Sequence, residues 1–182
     1  MRYFLTGRLP KVTSILLVES GTRGLLVYVL VYLFMNLGAF LVVTLIHRHE
    51  GTFDLRDYPG MLRRQPLLTV AMAVFLLSLM GIPPLTGFMG KLYVFLAVIE
   101  RGPGLYAFAV IGALNAALAA WYYMRVLRVM IVDTGDERPA FALPFADRAW
   151  LVTLALANVV PLVFWDFIES WARGSLTLYA GL

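Results

Sequence analysis

Residues 24–46 contain no Asp, Glu, Lys, Arg or His. A helix needs about 20 mostly apolar residues to cross the hydrocarbon core of a bilayer, so this stretch alone is long enough to span. It is followed by further apolar regions at residues 67–99, 105–130 and 150–167. The composition agrees: 61% of the chain is hydrophobic and only 14% is charged, where a soluble domain carries roughly 25% charged residues. With a mean hydropathy of +0.81, most of the exterior has to face lipid or other protein rather than water. The expected fold is all-α, a polytopic transmembrane helix bundle of about four spans. A tail at residues 1–23 stays unassigned, residues 24–172 form the transmembrane domain, and residues 173–182 form a C-terminal tail. The apolar patch at residues 12–18 is too short to span and is not followed by a small-residue cleavage site. A tail or surface helix is therefore expected there rather than a cleaved leader.

The second region is interrupted by Gly81, Ile82, Pro83 and Pro84, and again by Gly87 and Gly90. Two prolines remove two backbone donors and push the residue before each of them out of the helical region. Two half-helices of about 15 residues, each about 22 Å long, are expected to meet at this break. Neither reaches across a core about 30 Å thick, so one broken span is expected rather than two complete ones. Residues 47–66 and 125–148 then share one side of the membrane. They hold Arg48, Arg56, Arg63, Arg64, Arg125, Arg128, Arg138 and Arg148, against Arg2, Arg8, Lys11, Arg23, Arg101 and Arg173 opposite. That slight excess of basic residues points to the first side as cytoplasmic and to both termini as outside.

Lys91 is the residue that asks for a function. It lies in the second half-helix among Phe88, Met89, Leu92, Tyr93, Val94 and Phe95, and the nearest charges along the chain are Arg64 and Glu100. An ionisable group at membrane depth is costly and usually pairs, lines a wet cavity or lies on an ion path. A lysine able to release its proton near neutral pH can serve as a relay, and a broken helix supplies free carbonyls and room for water beside it. Snorkelling to the interface, the ordinary alternative, is disfavoured by the apolar run on both sides.

Other polar residues have simpler readings. Asn36, Asn115 and Asn158 are expected to form interhelical hydrogen bonds, and Gly112, Ala116 and Ala120 a small-residue contact stripe. Tyr122, Tyr123, Arg125 and Arg128 suit an interfacial belt, as do Trp165, Asp166, Glu169 and Trp171. His47 and His49 beside Glu50 lack a further ligand cluster, so metal binding is not expected. The absence of cysteine excludes disulfides, iron–sulfur ligation and thiol nucleophiles. No phosphate loop or dinucleotide fingerprint occurs, and no basic run suggests nucleic acid.

Three strings carry a family resemblance. They are Tyr28 to Phe40 (YVLVYLFMNLGAF), Phe75 to Tyr93 (FLLSLMGIPPLTGFMGKLY) and Trp121 to Leu127 (WYYMRVL). Together they resemble late transmembrane helices of the antiporter-like, proton-translocating subunits of NADH–quinone oxidoreductase (respiratory complex I), subunit N most closely. The strings occur in family order over roughly residues 25–130, and residues 1–23 match nothing nameable. The resemblance implies that Lys91 occupies the position of a proton-path lysine in the broken helix. It also implies a bacterial inner-membrane location with the 47–66 and 125–148 loops in the cytoplasm, and other membrane subunits of a complex I-like assembly as partners beside the lipid bilayer. No cofactor is implied in this chain, with NADH and quinone used by the assembled complex. The chain resembles only the C-terminal third of such a subunit and lacks the glutamate–lysine pair and central lysine of the earlier helices. A subunit of a cation/proton antiporter of the same superfamily, or an inactive truncated fragment, are the competing expectations.

Overall fold

The computed structural model describes residues 11–83, 85–100, 102–135 and 138–163. Every regular element among them is helical: α1 (Lys11–Glu50), α2 (Met61–Arg64), α3 (Pro66–Met80), α4 (Thr86–Glu100), α5 (Tyr106–Ile131) and α6 (Phe145–Val163). Short 3₁₀ turns lie at Leu55–Asp57 and Pro103–Leu105.

The 40 residues of α1 make a rod about 60 Å long. It contains the expected span at 24–46 but begins at Lys11, inside the expected tail. No proline interrupts the sequence from Lys11 to Glu50, so nothing stops the helix from propagating upstream. Residues 1–10 lie outside the described residues. At its far end α1 stops at Gly51, whose φ of 73° is a conformation that costs glycine little. The Gly51 N–H donates to the His47 carbonyl at 2.8 Å.

The broken region forms two helices, α3 and α4, of 15 residues each. α5 begins one residue after the expected start of the third span. α6 begins at Phe145 rather than near residue 150, because Pro144 precedes it and Asp147 in its first turn suits the positive end of the helix dipole. The C-terminal side of the fourth span, with Trp165, Asp166, Glu169 and Trp171, lies outside the described residues.

Two stretches among the described residues are long and apolar enough to cross a membrane unaided, Tyr28–Glu50 and Pro103–Ile131. None of the apolar window of the second is buried inside the molecule. A core helix of a water-soluble protein would hide such a surface, whereas a helix in lipid need not. The fold is therefore an all-α transmembrane bundle whose second span is broken.

Much of the buried core lies where α3 meets α1. Phe75 is fully buried, with Met35, Val42, Leu45, Leu68 and Met72 around it in one cluster. Gly38 of α1 lies under the Phe75 ring so closely that a Cβ there would overlap it, and this lets the two helices approach.

At the end of the bundle marked by Glu50, the 47–66 loop and the 132–144 connection are tied together. Arg64 and Arg138 each pair with a separate oxygen of Glu50, the second at 3.2 Å. Arg138 also reaches Asp57 at 2.9 Å, and Asp57 accepts the Thr52 hydroxyl at 2.8 Å. Gly60 donates its N–H to the Asp133 carbonyl at 2.9 Å. The two loops expected to share one side of the membrane thus touch at one end of the bundle. The Arg138 guanidinium, and then the Thr52 hydroxyl, hold the Asp57 carboxyl below the usual carboxylate range. Burial raises the Tyr58 phenol above its ordinary value, and the neighbouring Asp57 charge adds to the effect.

Candidate functional site

α3 ends at Met80, where Gly81 turns left-handed with φ 80° and ψ 42° and caps the helix through its N–H to the Leu77 and Ser78 carbonyls. The Ile82 N–H also donates to Leu77, at 3.2 Å. In an uninterrupted helix the carbonyls of Leu79 and Met80 would accept from residues 83 and 84, four positions on. Both are prolines and have no N–H to give. Those two carbonyls are the ones that Lys91 takes up: its Nζ donates to Leu79 at 2.8 Å and to Met80 at 3.0 Å. The ammonium therefore replaces the two donors that the proline pair removes, and it lies at the negative end of the α3 dipole. Two of its three N–H groups are committed in this way and one is left.

The glycines make this approach possible. A Cβ on Gly81 would meet the Lys91 stem at 3.0 Å. A Cβ on Gly87 would overlap the Ser78 carbonyl, and the Gly87 N–H donates to the Ser78 hydroxyl at 3.2 Å. Gly90 lies against Tyr28 of α1, its absent Cβ 3.4 Å from the ring. Thr86, at the start of α4, donates its hydroxyl to the Asn158 carbonyl of α6. Lys91, Gly81, Gly87 and Gly90 are thus assembled into one site. Pro83 is exposed beside it, and Pro84 lies outside the described residues.

Lys91 also borders a cavity of about 410 Å³ between α1, α4 and α5. Tyr28 and Tyr32 from α1, and Asn115 and Tyr123 from α5, line it with the lysine. The rings of Tyr28 and Tyr32 stack at 5.5 Å. None of these was singled out from sequence as part of a site with Lys91. The available signal was the four-residue spacing of Tyr28 and Tyr32, which puts two hydroxyls on one face of an uncharged span.

Several readings are corrected or refined. The side chains of Asn36 and Asn158 do not bridge helices: each donates to the carbonyl four residues back, on Tyr32 at 2.8 Å and on Leu154 at 2.9 Å. A short amide on a helix reaches its own preceding turn more easily than a neighbouring helix. Of the belt residues, Tyr122, Arg125 and Arg128 are exposed, but Tyr123 turns into the cavity. Gly112 of the small-residue stripe packs on Phe95 of α4. His47 stacks on Phe53 and His49 on Phe141, so the two rings have separate partners.

Comparison with known proteins fits this geometry. A family model described as NADH:quinone oxidoreductase/Mrp antiporter, TM, matches residues 7–118. The match reaches into residues 1–23, where the sequence motifs gave no resemblance. NADH-quinone oxidoreductase subunit N of Anaeromyxobacter sp. (strain Fw109-5) is 43% identical over 170 residues, covering 90% of this chain and 33% of that protein. NAD(P)H-quinone oxidoreductase subunit 2, chloroplastic, of Chlorokybus atmophyticus is 41% identical over 134 residues, 74% of this chain and 26% of that protein. A chain in the structure of respiratory complex I from Thermus thermophilus with bound Aureothin shares the fold at a TM-score of 0.68 and 24% identity, covering 85% of this chain and 36% of that one. The chain spans about a third of the length of the curated relatives it matches. On the family match over most of its length, this chain belongs to the NADH:quinone oxidoreductase/Mrp antiporter transmembrane family.

Proposed function

We propose that this chain is a membrane subunit, or part of one, of a proton-translocating NADH–quinone oxidoreductase, and that Lys91 is one relay station on its proton path. The observation that carries the reading is the Lys91 ammonium resting on the Leu79 and Met80 carbonyls at a proline-made break. A lysine held by weak acceptors rather than by a carboxylate can gain and lose a proton without breaking a strong ion pair. Gly81, Pro83, Pro84, Gly87 and Gly90 form the break and have a positioning role. The names of the relatives support the assignment to quinone-linked pumping.

The transmembrane domain is residues 24–172, with its four spans, and the redox chemistry with NADH and quinone belongs to partner chains. The partners are the other membrane subunits of a complex I-like assembly, within the bilayer of a bacterial inner membrane. The Glu50 end of the bundle is cytoplasmic and both termini lie outside. The family description also names Mrp antiporters, so a subunit of a cation/proton antiporter is the second reading.

Mass spectrometry of the purified native membrane complex tests the assignment. Stoichiometric recovery with complex I-like subunits, including a chain that supplies the rest of the relatives' length, is the expected result. Recovery with antiporter subunits alone would favour the second reading. Absence from any such complex would overturn both.

A further inference from the structure

We infer that the hydroxyls of Ser78 and Thr86 are positioning groups for Lys91, fixing the place at which its ammonium meets the Leu79 and Met80 carbonyls. This rests on the proposed relay role of Lys91. Both side chains are buried, as is Asn158 on α6, so none of the three is spent on the outer surface of the bundle.

Ser78 immediately precedes the two residues whose carbonyls hold Lys91. Its hydroxyl accepts the Gly87 N–H at 3.2 Å, and its own carbonyl accepts the Gly81 N–H at 2.9 Å. One residue thus closes α3 and receives the first turn of α4, whose leading N–H groups have no partner within their own helix. The seat is close: a Cβ on Gly87 would overlap the Ser78 carbonyl and press on the Met35 sulfur of α1. Lys91 stands four residues beyond Gly87, on the same face of α4 and about 6 Å further along the axis. Helical side chains lean toward the N-terminus of their helix, so the lysine stem runs back along that face to the Leu79 and Met80 carbonyls. α3 and α4 are therefore joined twice, by Ser78 to Gly87 and by Lys91 to the next two carbonyls.

The two joints differ in stiffness. The lysine has a flexible four-carbon stem and three rotatable donors, so it can follow the carbonyls over a range of positions. The Ser78 hydroxyl is one carbon from the backbone and cannot. The short joint sets the spacing and the long one takes it up. Thr86, next to Gly87, secures the same turn to α6 through its hydroxyl on the Asn158 carbonyl. Without these ties the first turn of α4 is free to shift on α3. A displacement of about 1 Å can cost about a hundredfold in rate where reacting groups have to stay aligned.

The test uses the assembled complex in proteoliposomes. Proton ejection per quinone reduced is the readout, and recovery in the purified complex checks assembly. Ser78→Ala and Thr86→Val remove the hydroxyls and nearly keep the shapes, whereas Thr86→Ser keeps the hydroxyl and loses a methyl group. Ser78→Ala and Thr86→Val are each expected to assemble and to lower ejection about tenfold, with Thr86→Ser near native. A loss caused by packing alone would appear in Thr86→Ser and not in Thr86→Val. Added to Lys91→Ala, neither substitution is expected to lower ejection further, because residues that act through one group are not additive. Native ejection in either assembled variant, or the same further loss in the Lys91→Ala chain as in the native one, overturns the inference and leaves the relay standing. Native ejection in Lys91→Ala overturns the relay, and with it this role for Ser78 and Thr86. If Ser78→Ala fails to assemble, the Thr86 pair decides: Thr86→Ser as impaired as Thr86→Val overturns the inference.

Discussion

At the scale of single residues, Lys91 replaces the two N–H donors that Pro83 and Pro84 cannot supply. Its place in an apolar helix was legible because no other charge occurs between Arg64 and Glu100. Its partners were not legible. They are backbone carbonyls, invisible in a sequence until one asks which acceptors the prolines leave without donors. Tyr28 and Tyr123 were missed for a related reason: a tyrosine in a span satisfies packing and interface rules equally well, and only the meeting of α1, α4 and α5 brings them to one cavity with Lys91. The glycines were read as breakers, and the structure gives each a specific obstacle. Gly87→Ala drives a methyl group into the Ser78 carbonyl, and the backbone there has no flexible side chain to yield. Loss of assembled complex on native gels is the expected outcome. Gly81→Ala places a side chain at φ 80°, a strain of about 1–2 kcal/mol, and crowds the Lys91 stem. It is expected to lower the thermal stability of the assembly and proton ejection together.

At the scale of elements, the break in the second span was readable because proline acts locally and its effect does not depend on context. The start of α1 was not, since polar residues such as Lys11, Glu19 and Arg23 end the apolar pattern without ending the helix. Charge placement marks where a membrane span stops being comfortable, whereas a helix stops only at a breaker or a cap. The proline pair itself can be tested. Pro83→Ala with Pro84→Ala restores two N–H donors that compete with Lys91 for the Leu79 and Met80 carbonyls. The chain should still insert and assemble, as read by recovery in the purified complex, while proton ejection falls. Packing between α1 and α3 gives a separate expectation. Phe75→Ala opens a cavity against Gly38 in the buried core. It should cost about 3 kcal/mol, seen as a lower midpoint in thermal unfolding of the detergent-solubilised assembly.

At the scale of the whole molecule, one end is fixed by charge and a cavity opens beside Lys91 at the break in the second span. The side chains of Glu50 and Arg64 are only 10% and 8% exposed, and removal of one partner leaves the other buried and uncompensated. Glu50→Ala is therefore expected to destabilise the assembly by about 3 kcal/mol. Asp57 has a depressed folded-state pKa, so its contribution is present above the unfolded value, about 3.9, and is lost as pH falls through the lower folded value. The thermal midpoint should not change through this group between pH 7 and 5 and should drop below about pH 4, a drop that Asp57→Asn reduces. Sequence reasoning put these loops on one side because the broken region was counted as a single span, but their long-range pairs, such as Arg138 with Glu50, depend on the folded loops and leave no local pattern. In the proposed reading pumping is a property of the assembly, since the chain spans about a third of its curated relatives, and Lys91 is one station within it. Proton ejection per quinone reduced, in proteoliposomes of the assembly carrying Lys91→Ala beside the native chain, tests that claim most directly. Intact assembly with ejection reduced at least about tenfold is the expected result; native ejection from an equally well assembled variant would contradict a relay role for Lys91.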